Sequence, residues 1–382
     1  MNSKTEESVS KISRKELDVK LKKIYKKSSL PGFAVGIIKK DTVYFSEGYG
    51  WANVKDKVPF TKKTIMPIAS VSKTFIGFAV VKAIELGYFT PETPINEILP
   101  YAVINPNFPE DNIRVKHLFT HTSGIVDVQE VYAKTYQINK IPDIALAVFL
   151  NDYLTTSGKF YSKNNFDVFK AGGKYNYSNI TSALMAHLIE IKSGLSFDEF
   201  TQQYLFQPLE LKNTHWFYNK KKSKKYAALY EVYPEDDHDF KDFINPDKTL
   251  KTYCCVTYPD GSLRSTVKDL SLYVIEMLKG LEHNSDILSS EYYDLLFQKQ
   301  FDEGALPVAF DEAVNQAVFW GYDQKNIVSH GGADPGVATL VSIDLENKIG
   351  RIIFVNCAIM NKCRPNLIED FGKIFEILSK VK

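Results

Sequence analysis

The chain has 382 residues, 44% of them hydrophobic, which is enough to bury a sizeable core and suggests two domains or one domain with a large insertion. Lys and Arg number 47 against 46 Asp and Glu, a net charge of +1, so no overall bias points to nucleic acid or to a membrane surface. The four cysteines, Cys254, Cys255, Cys357 and Cys363, include an adjacent pair and no C-x-x-C, which suggests neither a disulfide framework nor a zinc site.

No apolar stretch reaches the length of a membrane span. The first residues, Met1 to Ser8, are polar and lack the apolar core of a signal peptide. That fits a cytoplasmic protein. It also fits a periplasmic or lipid-tethered one whose export segment has been trimmed, and both readings stay open. Residues 1–12 are expected to be flexible. From Ser13, Leu17, Leu21 and Ile24 recur at helical spacing among lysines, which predicts an amphipathic surface helix with a solvated basic face. After Pro31-Gly32, Phe33, Val35 and Ile37 alternate, Lys40-Asp41 turns, and Val43 and Phe45 alternate again, which predicts a β-hairpin with one buried face. Gly48-Tyr49-Gly50-Trp51 follows without a G-x-G-x-x-G leading into a helix, so the glycines fit a bulge or turn and not a nucleotide loop.

The stretch that organises the chain is Ile68-Ala69-Ser70-Val71-Ser72-Lys73-Thr74-Phe75. It reads Ser-x-x-Lys at the head of a helix that is apolar on nearly every side through Leu86 and is capped by Gly87. Residues three apart share a helix face, so Ser70 and Lys73 are within hydrogen-bonding reach. A free hydroxyl is a weak nucleophile and needs a base beside it. An amine taken out of water favours its neutral form and can act as that base. A helix N-terminus also presents backbone N–H groups to developing negative charge.

Further along, Arg114 to Gly124 ends a short helix at a turn. His117 and His121 stand four apart, but Leu118 occupies the position where a zincin needs glutamate, so a structural helix end is expected. Apolar helical pieces surround Ile141–Leu150. At Gly172-Gly173-Lys174-Tyr175-Asn176-Tyr177-Ser178-Asn179 a glycine turn delivers Tyr177 and Asn179 to the start of a helix, where Ser178 or Asn179 fits the N-cap. A helix is expected over Phe197–Leu211. Residues 218–250, with Lys220–Lys225 and Glu235-Asp236-Asp237-His238-Asp239, read as an exposed excursion, either a solvated loop or part of a lid. Helices are expected over Asp269–Leu278 and 286–298. Ile327 to Gly336 reads as a short apolar entry into His330 and a glycine-rich turn. Val337–Ile343 and Ile349–Asn356 read as strands, and Leu367 to Leu378 as a closing amphipathic helix.

Strands at both ends and helices between them give an α/β (α+β) fold. One antiparallel sheet is built from both chain ends and flanked by helices, with an inserted, mostly helical domain. The expected division is 13–70 with 215–382, and 71–214, with the site in the cleft between them.

Three elements in this order, Ser70-x-x-Lys73, Tyr177-x-Asn179 and His330-Gly331-Gly332, resemble the serine β-lactamase and penicillin-binding-protein superfamily. The likeness is to its branch of class C β-lactamases, DD-peptidases, D-aminopeptidases and family VIII esterases. Leu118 to Gly124, Pro208 to Thr214 and Gly261 to Thr266 support it, over about residues 30–356. The resemblance implies that Ser70 is acylated, with Lys73 as its base partner and Tyr177 shuttling the proton to the leaving group and later activating water. It implies that Asn179 orients Lys73 or the substrate, and that the backbone N–H groups of Ser70 and Ala333 form the oxyanion hole. His330, Gly331 and Gly332 would line the opposite wall, the glycines letting substrate approach the backbone. Many β-lactam-handling members carry Lys-Thr-Gly at the third element, where the cation holds the substrate carboxylate. Here His330 is a partial cation at best and Gly331 has no hydroxyl, which moves weight toward esters, amides or peptides. No clear equivalent of the acidic deacylation residue of class A enzymes stands in the sequence, so Tyr177 and Lys73 would serve both half-reactions.

The expected function is a serine hydrolase acting through an acyl-enzyme, as a DD-peptidase, D-aminopeptidase, esterase or weak β-lactamase. The alternatives are a catalytically silent β-lactam- or peptidoglycan-binding or sensor protein, and an acyltransferase using an amine in place of water. The expected partner is a small-molecule or peptide substrate. No nucleic acid, metal or cofactor is implied, and the oligomeric state is open.

Overall fold

The computed structural model describes residues 12–231, 240–302, 304–310, 314–359 and 365–382. The strands are β1 (Gly32–Lys39), β2 (Thr42–Asn53), β3 (Val58–Pro59), β4 (Met66–Pro67), β5 (Tyr136–Gln137), β6 (Cys254–Cys255), β7 (Arg264–Ser265), β8 (Gly321–Tyr322), β9 (Ile327–Asp334), β10 (Val337–Asp344) and β11 (Ile349–Val355). Seven of them form one antiparallel sheet in the order β3-β2-β1-β11-β10-β9-β8. The first and last strands of the chain therefore meet at its centre, where β1 pairs with β11 from Phe33↔Val355 to Lys39↔Ile349. Two short pairs, β4 with β7 and β5 with β6, tie the connecting segments together.

The helices are α1 (Arg14–Lys27), α2 (Ser72–Glu85), α3 (Val115–Phe119), α4 (Gln129–Tyr132), α5 (Leu146–Leu154), α6 (Asn179–Ser193), α7 (Phe197–Thr201), α8 (Val267–Leu281), α9 (Ser290–Phe297) and α10 (Pro365–Ser379). α1 starts in a capping box, Ser13 with Glu16, and buries Leu17 and Leu21. With α10 it covers one face of the sheet, a core that includes Phe33, Val35, Ile37, Ile353 and Leu367. The other face packs on α8 and continues into the helical region through α2. There the Phe75 ring stacks on Tyr273 with 4.1 Å between centroids, and the Tyr273 hydroxyl donates to the Thr74 carbonyl at 2.9 Å.

Four local expectations change. β1 is buried on both faces, not one, because it is central and has helices above and below. A bulge between Ile37 and Ile38 turns Val43 out to solvent while Phe45 stays buried. His330 to Asp334 lie inside a strand paired along its whole length with β10, and the turn comes later, at Gly336 with φ +70°. The helix expected to Leu211 is α at Phe197–Thr201, continues as a π turn over Gln202–Phe206, and ends there. Residues 232–239, with the acidic Glu235 to Asp239, and Cys363 lie outside the described residues. Cys254, Cys255 and Cys357 are buried and form no disulfide with one another. No helix among the described residues is long and apolar enough to cross a membrane.

Candidate active site

The site is built on the turn that delivers Ser70. Ala69 to Val71 form one 3-10 turn directly before α2, and Ala69 holds a left-handed φ of +48°. A non-glycine residue there is strained, so the surroundings must over-determine it. They do. The Ser72 hydroxyl donates to the Ala69 carbonyl at 2.6 Å and accepts the Leu263 N–H at 3.2 Å. The Thr339 hydroxyl of β10 donates to the Ile68 carbonyl at 2.7 Å, and the Ile68 N–H donates to the Leu263 carbonyl at 2.8 Å. Ser70 itself is half-buried at the cleft.

Lys73, one turn on, is 0% exposed. Its Nζ lies 3.2 Å from Ser70 Oγ, 2.7 Å from Asn179 Oδ1 and 2.7 Å from the backbone carbonyl of Asp260. The last two are pure acceptors and the first can also donate. An amine with two N–H bonds satisfies Asn179 and Asp260 and leaves its lone pair facing the serine hydroxyl; an ammonium satisfies all three. The geometry thus accommodates the lysine on either side of a proton transfer.

Asn179 is the first residue of α6, and Ser178 is the N-cap, its hydroxyl accepting the Thr181 N–H at 3.0 Å. Asp127 fixes this corner. Its carboxylate accepts the Ser178 hydroxyl at 2.6 Å, the Asn179 N–H at 2.7 Å and the Ile180 N–H at 3.1 Å. A carboxylate at a helix N-terminus is favourably placed against the helix dipole. Tyr177, 37% exposed, leans over Lys73, whose Nζ is 5.0 Å from the ring centroid, and stacks against His121 at 4.5 Å. Its hydroxyl has no hydrogen-bond partner among the described residues.

His121 is buried, and its Nδ1 accepts the Ser178 N–H at 3.3 Å. Burial, then Lys73, pushes its pKa well below the ordinary histidine value, so the ring is neutral. His117 is likewise held by the Arg114 N–H on Nδ1 at 3.1 Å and is pushed down to about 4 by burial. Both histidines are helix-end structure. Among the described residues no three His, Cys, Asp or Glu side chains gather as a metal site.

The opposite wall is β9. His330 is half-buried, with Nδ1 2.7 Å from the Gly331 carbonyl, and burial followed by Lys73 pushes it down to about 4. At neutral pH it carries no charge. Gly331 and Gly332 differ. A Cβ on Gly332 would stand 2.3 Å from Thr339 Oγ1 and 2.5 Å from the Ile68 carbonyl, so this glycine lets β9 pack against the Ser70 turn. It is not there for substrate approach. A Cβ on Gly331 would meet nothing within 4 Å. Ala333 is exposed and lines the same cleft as Ser70, a space of about 590 Å³.

Sequence reasoning missed the end of the cleft beyond Asn179. Asp260 is buried and accepts the Tyr132 hydroxyl at 3.2 Å. Asp334 accepts the Tyr136 hydroxyl at 2.6 Å and the Tyr253 hydroxyl at 3.2 Å. Burial raises Asp260 to about 7 and Asp334 to about 6, against the pull of Lys73 and the hydroxyl donors. Asp334 stood beside the glycines in the sequence, but nothing linked it to tyrosines that pair with it only in the fold. The near flank of the 218–250 excursion reaches this end, where Phe240 packs edge-on against Tyr136 with 5.0 Å between centroids.

The family model described as Beta-lactamase matches residues 17–368. Protein flp of Staphylococcus aureus (strain MW2) is 23% identical over 361 residues, covering 94% of this chain and 65% of its own length. Penicillin-binding protein 4* of Bacillus subtilis (strain 168) is 24% identical over 345 residues, covering 86% of this chain and 68% of its own. The chain thus spans about two-thirds of the length of these relatives. The structure of the octameric penicillin-binding protein homologue from Pyrococcus abyssi superposes with a TM-score of 0.67 at 21% identity, over 90% of this chain and 74% of that one, which shows the fold. With the model match running nearly end to end, the chain belongs to the Beta-lactamase family.

Proposed function

We propose that the chain is a serine hydrolase that forms an acyl-enzyme on Ser70, and that its substrate is an ester, amide or peptide without a carboxylate beside the scissile bond. One observation carries the first half: Lys73 Nζ is held by two pure acceptors with Ser70 Oγ as its third neighbour. In this reading Lys73 takes the Ser70 proton as Oγ attacks the carbonyl carbon, and the oxyanion is held by the N–H groups of Ser70 and Ala333. The free hydroxyl of Tyr177 passes the proton to the leaving group and then helps Lys73 to activate water. Asn179 orients Lys73, with His330, Gly331 and Gly332 along the far wall. Residues 13–70 with 215–382 form one domain and 71–214 a helical second, and the cleft lies between them.

The second half follows from charge. Apart from Lys73, which is engaged by Ser70, Asn179 and the Asp260 carbonyl, no described side chain at the cleft is cationic at neutral pH, since His330 is neutral there, while Asp260 and Asp334 stand among the lining residues. A substrate carboxylate has no partner here and two groups that oppose it. Neutral or cationic substrates fit better, which favours the esterase and D-aminopeptidase readings over the β-lactamase and DD-peptidase ones.

The test is intact mass over time with p-nitrophenyl acetate and, separately, with benzylpenicillin. The expected result is a transient acetyl adduct with continuous p-nitrophenol release, little or no penicillin adduct, and turnover lower by roughly 10⁴-fold or more in Ser70→Ala. A folded Ser70→Ala protein with wild-type turnover overturns the nucleophile. Fast penicillin hydrolysis overturns the substrate class, and a persistent adduct with either probe makes the protein a sensor.

A further inference from the structure

The cleft does not end at the nucleophile. Its lining runs from Ser70 over Gly331 to Leu340, Ile359, Ile368 and Phe371. The crossing point is the free edge of β9. β8 pairs only with Val328 and Ser329, and no strand among the described residues pairs with His330 to Asp334 on that side. Leu340 stands opposite Gly331 in register, so both face the same side of the sheet.

Gly331 has no structural reason to be glycine. Its φ is not left-handed, and a Cβ there would meet no atom within 4 Å, in contrast to Gly332 next to it. What the missing side chain leaves is an open saddle between the Ser70 side of β9 and the far side. Beyond the saddle the surface is apolar. Ile368 of α10 is 48% exposed, while Leu367, Ile374 and Leu378 of the same helix are 0% exposed against the sheet. Ile368 therefore lies off the helix face that builds the core, and it borders the cleft. Leu340, Ile359 and Phe371 complete a shelf on which the described lining has no charged or hydrogen-bonding side chain.

The direction of the substrate follows from the proton path. The group that leaves must sit where a proton reaches it. Tyr177 lies over Lys73 on one side and has its ring centroid 6.3 Å from that of His330 on the other. The leaving group therefore occupies the His330–Gly331 side, and the acyl portion points toward Asn179 and Tyr136.

We infer that the leaving group of the substrate carries an uncharged apolar chain that crosses β9 at Gly331 and lies on the shelf of Leu340, Ile359, Ile368 and Phe371. The inference rests on Ser70 being the nucleophile. Burying a methylene favours binding by about fourfold. A shelf open on one side realises part of that, about two- to threefold per methylene.

The experiment uses S-alkyl thioacetates from ethyl to octyl, with thiol release followed colorimetrically. The first thiol per protein is timed, so the reading does not require deacylation. A second series keeps the S-ethyl group and lengthens the acyl chain from acetyl to octanoyl. The expected result is that the acylation rate constant at low substrate rises about two- to threefold per methylene in the S-alkyl series, up to the length of the shelf, and little in the acyl series. Ile368→Asp, whose half-exposed position and unchanged melting temperature would show an intact fold, is expected to lower the octyl-to-ethyl ratio at least tenfold. Gly331→Leu, which fills the saddle, is expected to do the same. A flat S-alkyl series, a rise confined to the acyl series, or an octyl-to-ethyl ratio unchanged in Ile368→Asp overturns this inference while leaving Ser70 as nucleophile. Thiol release that persists in Ser70→Ala, or none from any thioester, removes the nucleophile reading and the inference with it.

Discussion

The two walls of the cleft are built differently. On the side of Ser70, Lys73 and Asn179 nearly every polar atom is held. Lys73 has three acceptors, Asp127 ties down three groups of residues 178–180, and Ser72 and Thr339 lock the strained turn. On the β9 side, over His330, Gly331 and Ala333, side-chain contacts are few. The His330 ring bonds to the carbonyl of its own neighbour, Gly331 faces open space and Ala333 is exposed. Reacting groups have to be held to within a fraction of an ångström, and that demands such a supporting shell. A wall that selects among substrates needs shape and charge but no such network. The first wall is thus read as setting the reaction and the second as setting what enters.

Removing the centre of the first wall gives the largest expected effect. Lys73→Met keeps length and burial but deletes the proposed base, and acylation of Ser70 is expected to fall about 10³-fold, within the range for a lost general base. Pre-steady-state thiol or p-nitrophenol release measures it directly. A fall of less than tenfold would mean that another group takes the serine proton and that the two walls are not divided as described.

The adjacent glycines separate packing from opening. Gly332→Ala drives a methyl group toward Thr339 Oγ1 and the Ile68 carbonyl, and it is expected to cost about 1–3 kcal/mol of stability, the usual range for overpacking. Gly331→Ala meets nothing within 4 Å and is expected to change stability by less than about 0.5 kcal/mol. Chemical denaturation of the two variants side by side reads the difference. Equal costs would show that β9 does not lean on the nucleophile turn at Gly332.

The grouping of Ser70, Lys73, Tyr177 and Asn179 was legible in the sequence because its logic is local. Ser70 and Lys73 lie three apart on one helix, and Tyr177, Ser178 and Asn179 stand together at another helix start, so residue type and spacing suffice. β9 was legible by composition but mistaken in conformation. Glycines followed by Pro335-Gly336 signal a turn, and only the pairing with β10 keeps them extended. β1 looked half-buried because alternation cannot show that a strand will be central. What stayed hidden acts over long separations or through atoms that every residue has. Asp127 reaches Ser178 across 51 positions, and Asp260 meets Lys73 through a backbone carbonyl 187 positions away. A main-chain oxygen leaves no mark in residue type.

The smallest expected effect tests the charge of the cleft. Burial holds Asp334 at about 6 and Asp260 at about 7, while His330, at about 4, is already neutral above pH 5. Both carboxyl groups are largely protonated at pH 5 and ionised at pH 8, so the cleft gains negative charge across that interval with no histidine titrating against it. A cationic substrate should gain and an anionic one should lose. For an amino-acyl ester compared with its uncharged isostere, the ratio of kcat/KM is expected to rise about three- to tenfold from pH 5 to pH 8, the size of a partly screened interaction between unit charges. In Asp334→Asn the part of the rise centred near pH 6 should vanish, leaving the part near pH 7 that belongs to Asp260. The substrate must keep its positive charge throughout, which a quaternary ammonium ester ensures. A ratio independent of pH would show that neither carboxyl faces the bound substrate. The preference for uncharged or cationic substrates would then rest on the neutral His330 alone.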